Sequence, residues 1–156
     1  MNNNFRAGHY QKGFTLIEIL VVIGIIAILA GVVLIAVNPG RQFQLAHDSQ
    51  RVANVNAILN AIGQNIAENK GQFICGGAVT PIPASEKIIK APVGADGIDI
   101  RSCIVPDYIS EIPYDPEGTF TSGTAYDTKY KIVKDANGRI KVSAEGEITT
   151  DISVTR

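Results

Sequence analysis

Between Phe14 and Val37 the chain is apolar at nearly every position: 24 residues carry one formal charge, Glu18. At about 1.5 Å per residue, a helix of that length reaches roughly 36 Å, enough to cross a hydrocarbon core. Asn38-Pro39-Gly40 then interrupts the run. Proline removes a backbone donor and crowds the preceding turn, so this tripeptide predicts a kink, after which the helical pattern resumes. Over residues 41–70, Val52, Val55, Leu59, Ile62 and Ile66 step by three and four, a single apolar stripe on an amphipathic helix. Arg41, Asp48, Arg51, Asn56, Asn60 and Glu68 fall off that stripe, and Gly71 is a natural stop. Residues 71–123 have no sustained period. Pro81, Pro83 and Pro92, with Gly76, Gly77, Gly94 and Gly97, predict an irregular loop holding at most a short strand or helical turn at Ser85–Lys90. From Thr124 the period becomes two. Tyr126, Thr128, Tyr130 and Ile132 alternate with polar residues, Asp135-Ala136-Asn137-Gly138 makes a turn, and Ile140, Val142 and Ala144 alternate again. Ile148, Ile152 and Val154 suggest a third, edge strand. The expected fold class is α+β: a long N-terminal helix whose outer half packs on a small antiparallel sheet over about 124–155.

Charge gives the apolar run a direction. Arg6 and Lys12 precede it with no acid before Glu18, and the nearest charge beyond it is Arg41. Cationic flanks stay in the cytoplasm, so the N-terminus is expected inside and everything after about Pro39 outside. A secretory signal has its cleavage site after a shorter apolar core. Here the candidate site, Lys12-Gly13 before Phe14, lies ahead of the run, and cutting there removes a hydrophilic leader, residues 1–13, and leaves the whole helix in place. Glu18 is then the residue that needs a reason. A carboxylate inside a span costs on the order of 2–3 kcal/mol and marks function by default. Cleavage would free an α-amine on Phe14, about one helical turn from Glu18, and an axially shifted neighbour would bring its own amine level with this carboxylate. Small residues at Gly24, Ala27 and Gly31 share one face of the span and would let helices approach closely.

Lys12-Gly13-Phe14-Thr15-Leu16-Ile17-Glu18, followed by an uninterrupted apolar helix, resembles the class III leader of type IV pilins and pseudopilins. The resemblance covers about residues 6–66. It implies cleavage between Gly13 and Phe14 by a prepilin peptidase, N-methylation of Phe14, and assembly into a helical filament in which Glu18 sets subunit registry. A softer resemblance lies in Ile112-Pro113 and Asp115-Pro116 ahead of Gly123-Thr124-Ala125-Tyr126, which looks like the loop before the sheet of pseudopilins and small bacterial pilins. Some major pseudopilins bind Ca²⁺ near this loop. Asp115, Glu117 and Asp127 are the oxygen-bearing candidates here, although solvated turn acids are the plainer reading of all three.

Cys75 and Cys103 are the only cysteines. In an exported domain they are expected to form a disulfide, placed differently from the C-terminal staple usual in pilins. The histidines are His9 and His47 alone, and no Ser/His/acid, Cys/His or metal-ligating pattern stands out. No catalytic residue, cofactor or nucleic-acid surface is expected from 14 basic and 15 acidic residues. The expected function is structural. The subunit is held in the bacterial inner membrane by one span, processed by the peptidase and methyltransferase, and polymerised by the pilus assembly machinery into a homo-oligomeric filament on the cell surface. The same chemistry would serve a periplasmic pseudopilus of a type II secretion system. A monomeric membrane-anchored binding module is the alternative from another class.

Overall fold

The computed structural model describes residues 13–156 and divides into two units, one ending at Pro39 and the other spanning Gly40–Arg156. The leader residues Arg6, His9 and Lys12 lie outside the described residues. The first unit is a single helix, α1 (Leu16–Val37), none of whose residues is buried. It ends at Asn38, which adopts the left-handed conformation (φ 45°, ψ 78°). A second helix, α2 (Pro39–Glu68), starts on the next residue. The tripeptide therefore does more than kink the helix: it breaks the helical run for one residue. Proline at the first position of α2 has no donor to lose and a torsion already set for a helix, while asparagine tolerates the left-handed corner.

The second unit packs the outer part of α2 on a sheet. Its elements are a two-stranded hairpin, β1 (Ile74–Cys75) and β2 (Ala78–Val79); β3 (Lys87–Ala91); β4 (Gly97–Ile98); a short helix α3 (Arg101–Ile104); β5 (Thr119–Ser122); β6 (Ala125–Lys134); β7 (Ile140–Ala144); and β8 (Ile152–Thr155). The main sheet has six strands in the order β4-β3-β6-β7-β8, with β5 also on β6. It is mixed, since β3 and β4 run parallel and the other pairs antiparallel. About three antiparallel strands were expected. The additional three, β3, β4 and β5, come from the segment expected to be irregular. Lys87-Ile88-Ile89-Lys90-Ala91 fits between Pro83 and Pro92 and pairs along β6 from Ile132 to Tyr126, so the prolines bound this strand without interrupting it. Ile148 lies outside β8.

The helix buries a face turned from the expected stripe. Val55, Leu59 and Ile62 are inside as expected and Ile66 packs against the core, but Val52 is 46% exposed and Ile58 fully buried. Asp48, Arg51 and Asn65, all polar, are buried as well. The face has rotated toward residues 51, 58 and 65, since Ile58 is apolar and the polar groups of Arg51 and Asn65 find partners inside. Opposite it stand Ile89, Tyr126, Tyr130, Ile132, Val142 and Ile152 of the sheet, with Ile100, Ile104 and Ile112 closing the end. Burying one such side chain stabilises the fold by about 1.5–3 kcal/mol. Helix α2 stops as the sequence predicts: the Gly71 N–H (φ 87°) donates to Ile66 O at 2.9 Å. The β6–β7 turn closes on Asp135, whose side chain accepts from the N–H groups of Asn137 and Arg139.

Candidate processing and assembly segment

Gly13 and Phe14 precede the first helical turn, and Phe14 is 78% exposed. A Cβ added at Gly13 would meet nothing within 4 Å, so the fold itself does not require glycine there. Thr15 is the N-cap of α1, and its Oγ1 accepts from the Glu18 N–H at 3.3 Å. This is the Thr-x-x-Glu spacing of a capping box, a signal present in the sequence that the functional reading of Glu18 obscured. The cap fixes where the helix begins, and so fixes Glu18 in its first turn, where a carboxylate is favoured by the helix dipole. Beyond Glu18 the helix carries no charge through Val37. Its large side chains are 47–85% exposed, and Gly24 and Gly31 face open space. By length and hydropathy, Leu16–Val37 is able to cross a membrane.

The polar groups of the second unit are arranged in the opposite way. Arg51 is 2% exposed and holds three acids. Its Nε and Nη2 donate to the two oxygens of Asp115 at 2.6 and 3.0 Å. Its Nη1 donates to Asp48 at 2.9 Å and to Glu147 at 3.0 Å. Asp48 is also wrapped by backbone, accepting from the N–H groups of Glu147, Ile148 and Thr149 at 2.8–3.0 Å. The loop closes so tightly that a Cβ at Gly146 would lie 2.1 Å from Thr149 O and 3.0 Å from Asp48 Oδ1. His47 Nδ1 stands 2.8 Å from Glu147 Oε1. The Thr149 N–H, with its neighbours and Arg51, holds the Asp48 carboxyl well below the usual carboxylate range. Asp115 does most to raise Arg51, and His47 does most to lower Glu147. Burial pushes the Tyr130 hydroxyl up to about 12.

That network corrects the expectation for Asp48 and Arg51, which were placed off the buried stripe. Asp115 faces Arg51 and the Glu117 N–H. Asp127 accepts from the Lys129 N–H, where β6 takes a positive φ. Among the described residues no group of three His, Cys, Asp or Glu side chains is gathered that could hold a metal ion. Asp115, expected as a solvated turn acid, is instead 4% exposed, because Arg51 neutralises it inside the fold. Cys75 and Cys103 are joined in a disulfide that ties β1 to α3.

No curated protein and no solved structure matches the chain significantly. One family model does match, the prokaryotic N-terminal methylation motif, over residues 8–34. That span takes in Gly13, Phe14, Thr15, Glu18 and most of α1, so the exposed apolar helix with its capped acidic start is the signature segment of type IV pilins and pseudopilins.

Proposed function

We propose that the protein is a structural subunit that, once cut between Gly13 and Phe14 and N-methylated on Phe14, polymerises through α1 into a filament at the cell surface. The observation that carries this reading is a helix with no buried residue and one carboxylate in its first turn. Such a surface is stable in lipid or against other apolar helices, and each large side chain it covers gains about 1.5–3 kcal/mol over exposure to water. Lipid accommodates the aliphatic part of α1 but gives Glu18 no partner. A second copy does: its Phe14 amine, moved along the axis by about one helical turn, neutralises Glu18, and Glu18 neutralises the amine. Each charge is costly alone in low dielectric, so the pair rewards one register and penalises others. Before assembly the subunit stands in the inner membrane with its N-terminus in the cytoplasm, where prepilin peptidase reaches Gly13.

The test is Glu18→Val. It makes the span more apolar and leaves the processing site intact. Losing one partner of a buried pair costs about 3–5 kcal/mol per contact, so cleaved subunits should accumulate in the membrane and sheared filaments should be absent. Filaments at wild-type yield would remove the registry role. Deleting the whole chain separates the two filament settings: loss of surface fibres marks a pilus, and loss of protein secretion with fibres intact marks a pseudopilus.

A further inference from the structure

The disulfide joins two segments that share no strand pairing, since Cys75 lies in β1 and Cys103 in α3. One buried side chain holds both. Asn65 of α2 is 2% exposed. Its Nδ2 donates to the carbonyl of Ile74, the residue before Cys75, at 2.9 Å, and to the carbonyl of Cys103 itself at 2.8 Å. Its Oδ1 accepts the Ile74 N–H at 2.9 Å. Asn69 steadies it from the next turn, donating to Asn65 O at 2.7 Å. The three bonds from the Asn65 side chain run to backbone groups, so none of them needs the sulfur–sulfur bond in order to form.

We propose that Asn65 is a positioning residue for oxidation: it gathers the two cysteine-bearing segments before the bond exists, so the reduced protein presents its thiols as a preassembled pair. Closing a loop across a sequence separation of 28 costs chain entropy. Asn65 meets that cost with hydrogen bonds, and the sulfur chemistry then proceeds at high effective thiol concentration. The oxidant is an external disulfide. Cys75, the more exposed of the two, attacks one of its sulfurs and expels a thiolate; Cys103 then attacks Sγ of Cys75 in the mixed disulfide and expels the second. Two electrons and two protons pass from the protein thiols to the external disulfide, which leaves as two thiols. Only an amide serves here, because the site uses two donors and one acceptor. Asparagine supplies all three, aspartate only the acceptor, and leucine none.

The full-length chain in detergent, equilibrated with mixtures of reduced and oxidised glutathione and read by thiol alkylation and intact mass, tests this. Asn65→Leu should require a mixture about tenfold more oxidising for half-oxidation, the equivalent of one to two lost hydrogen bonds. Asn65→Asp should shift less in the same direction, and reoxidation of both should slow. Ile58→Val, which trims the core and leaves the Asn65 hydrogen bonds intact, should lower the thermal midpoint and leave the glutathione midpoint in place. A wild-type glutathione midpoint in the Asn65 variants, or an equal shift in Ile58→Val, would overturn the proposal. If Asn65→Leu does not fold, Asn65→Asp decides alone, and an unchanged midpoint there counts against it.

Discussion

Glu18 and Arg51 are both charges set among apolar side chains, and the two units treat them in opposite ways. Arg51 is sealed by acids of its own chain, from α2 itself, from the segment before β5 and from the loop after β7. Glu18 has a capped amide and, among the described residues, no ion-pair partner. A charge completed within the chain helps specify the fold. A charge left for another chain to complete specifies an assembly. The apolar surface divides along the same line: the second unit buries most of its isoleucines, and the first displays all of its large apolar side chains.

The comparison breaks hardest at the edge of the first unit. Gly13→Leu meets no obstacle within the fold, so any effect belongs to the peptidase. The expected result is unprocessed precursor with an intact second unit, read by N-terminal sequencing; normal cleavage would remove the class III assignment. Next comes Arg51→Leu, which strands three carboxylates and should cost about 3–5 kcal/mol. Urea unfolding of the second unit's sheet signal would show it, and a loss under 1 kcal/mol would mean the network is slack.

Acid provides a gentler probe of the same network. Asp48 titrates below its unfolded value, so the stability it contributes is full above about pH 4 and drains away as pH falls through the depressed value. The urea midpoint should therefore slope downward below pH 4, and Asp48→Asn should flatten that slope while lowering the plateau. An unchanged slope would place the acid sensitivity in other carboxylates. Smallest is Thr15→Val, which removes the cap and keeps the branched side chain. It should cost about 1 kcal/mol of local helix stability, seen as faster amide exchange at Glu18 with filament yield nearly kept.

Much of this was legible in the chain. The span, Glu18, the Gly71 stop, the alternation of β6 and β7 and their Asp135–Gly138 turn follow from local pattern, because each is decided by neighbours a few residues apart. The buried Arg51 was not. Periodicity sorts residues by polarity, and a charge reads as surface unless its partners are known; here two of them lie 64 and 96 positions away. Asn65 was hidden for the same reason, since its partners sit across two loops. Strand β3 was hidden differently. Ser85–Lys90 read as a short strand or a helical turn, because Lys87-Ile88-Ile89-Lys90-Ala91 does not alternate, and pairing with β6 decides for the strand.

Gly146 carries one more consequence. Its neighbours exclude a side chain by space alone, through Thr149 O and the Asp48 carboxylate. Selection on this position is therefore selection on the wrapped carboxylate. A descendant of this sequence that keeps Asp48 enclosed must keep glycine at 146, and one that has acquired a side chain there has let the enclosure go. When diverged versions of the chain are aligned, that single column should rise and fall with Asp48 and Arg51, a trace of the buried charge left in ancestry rather than in coordinates.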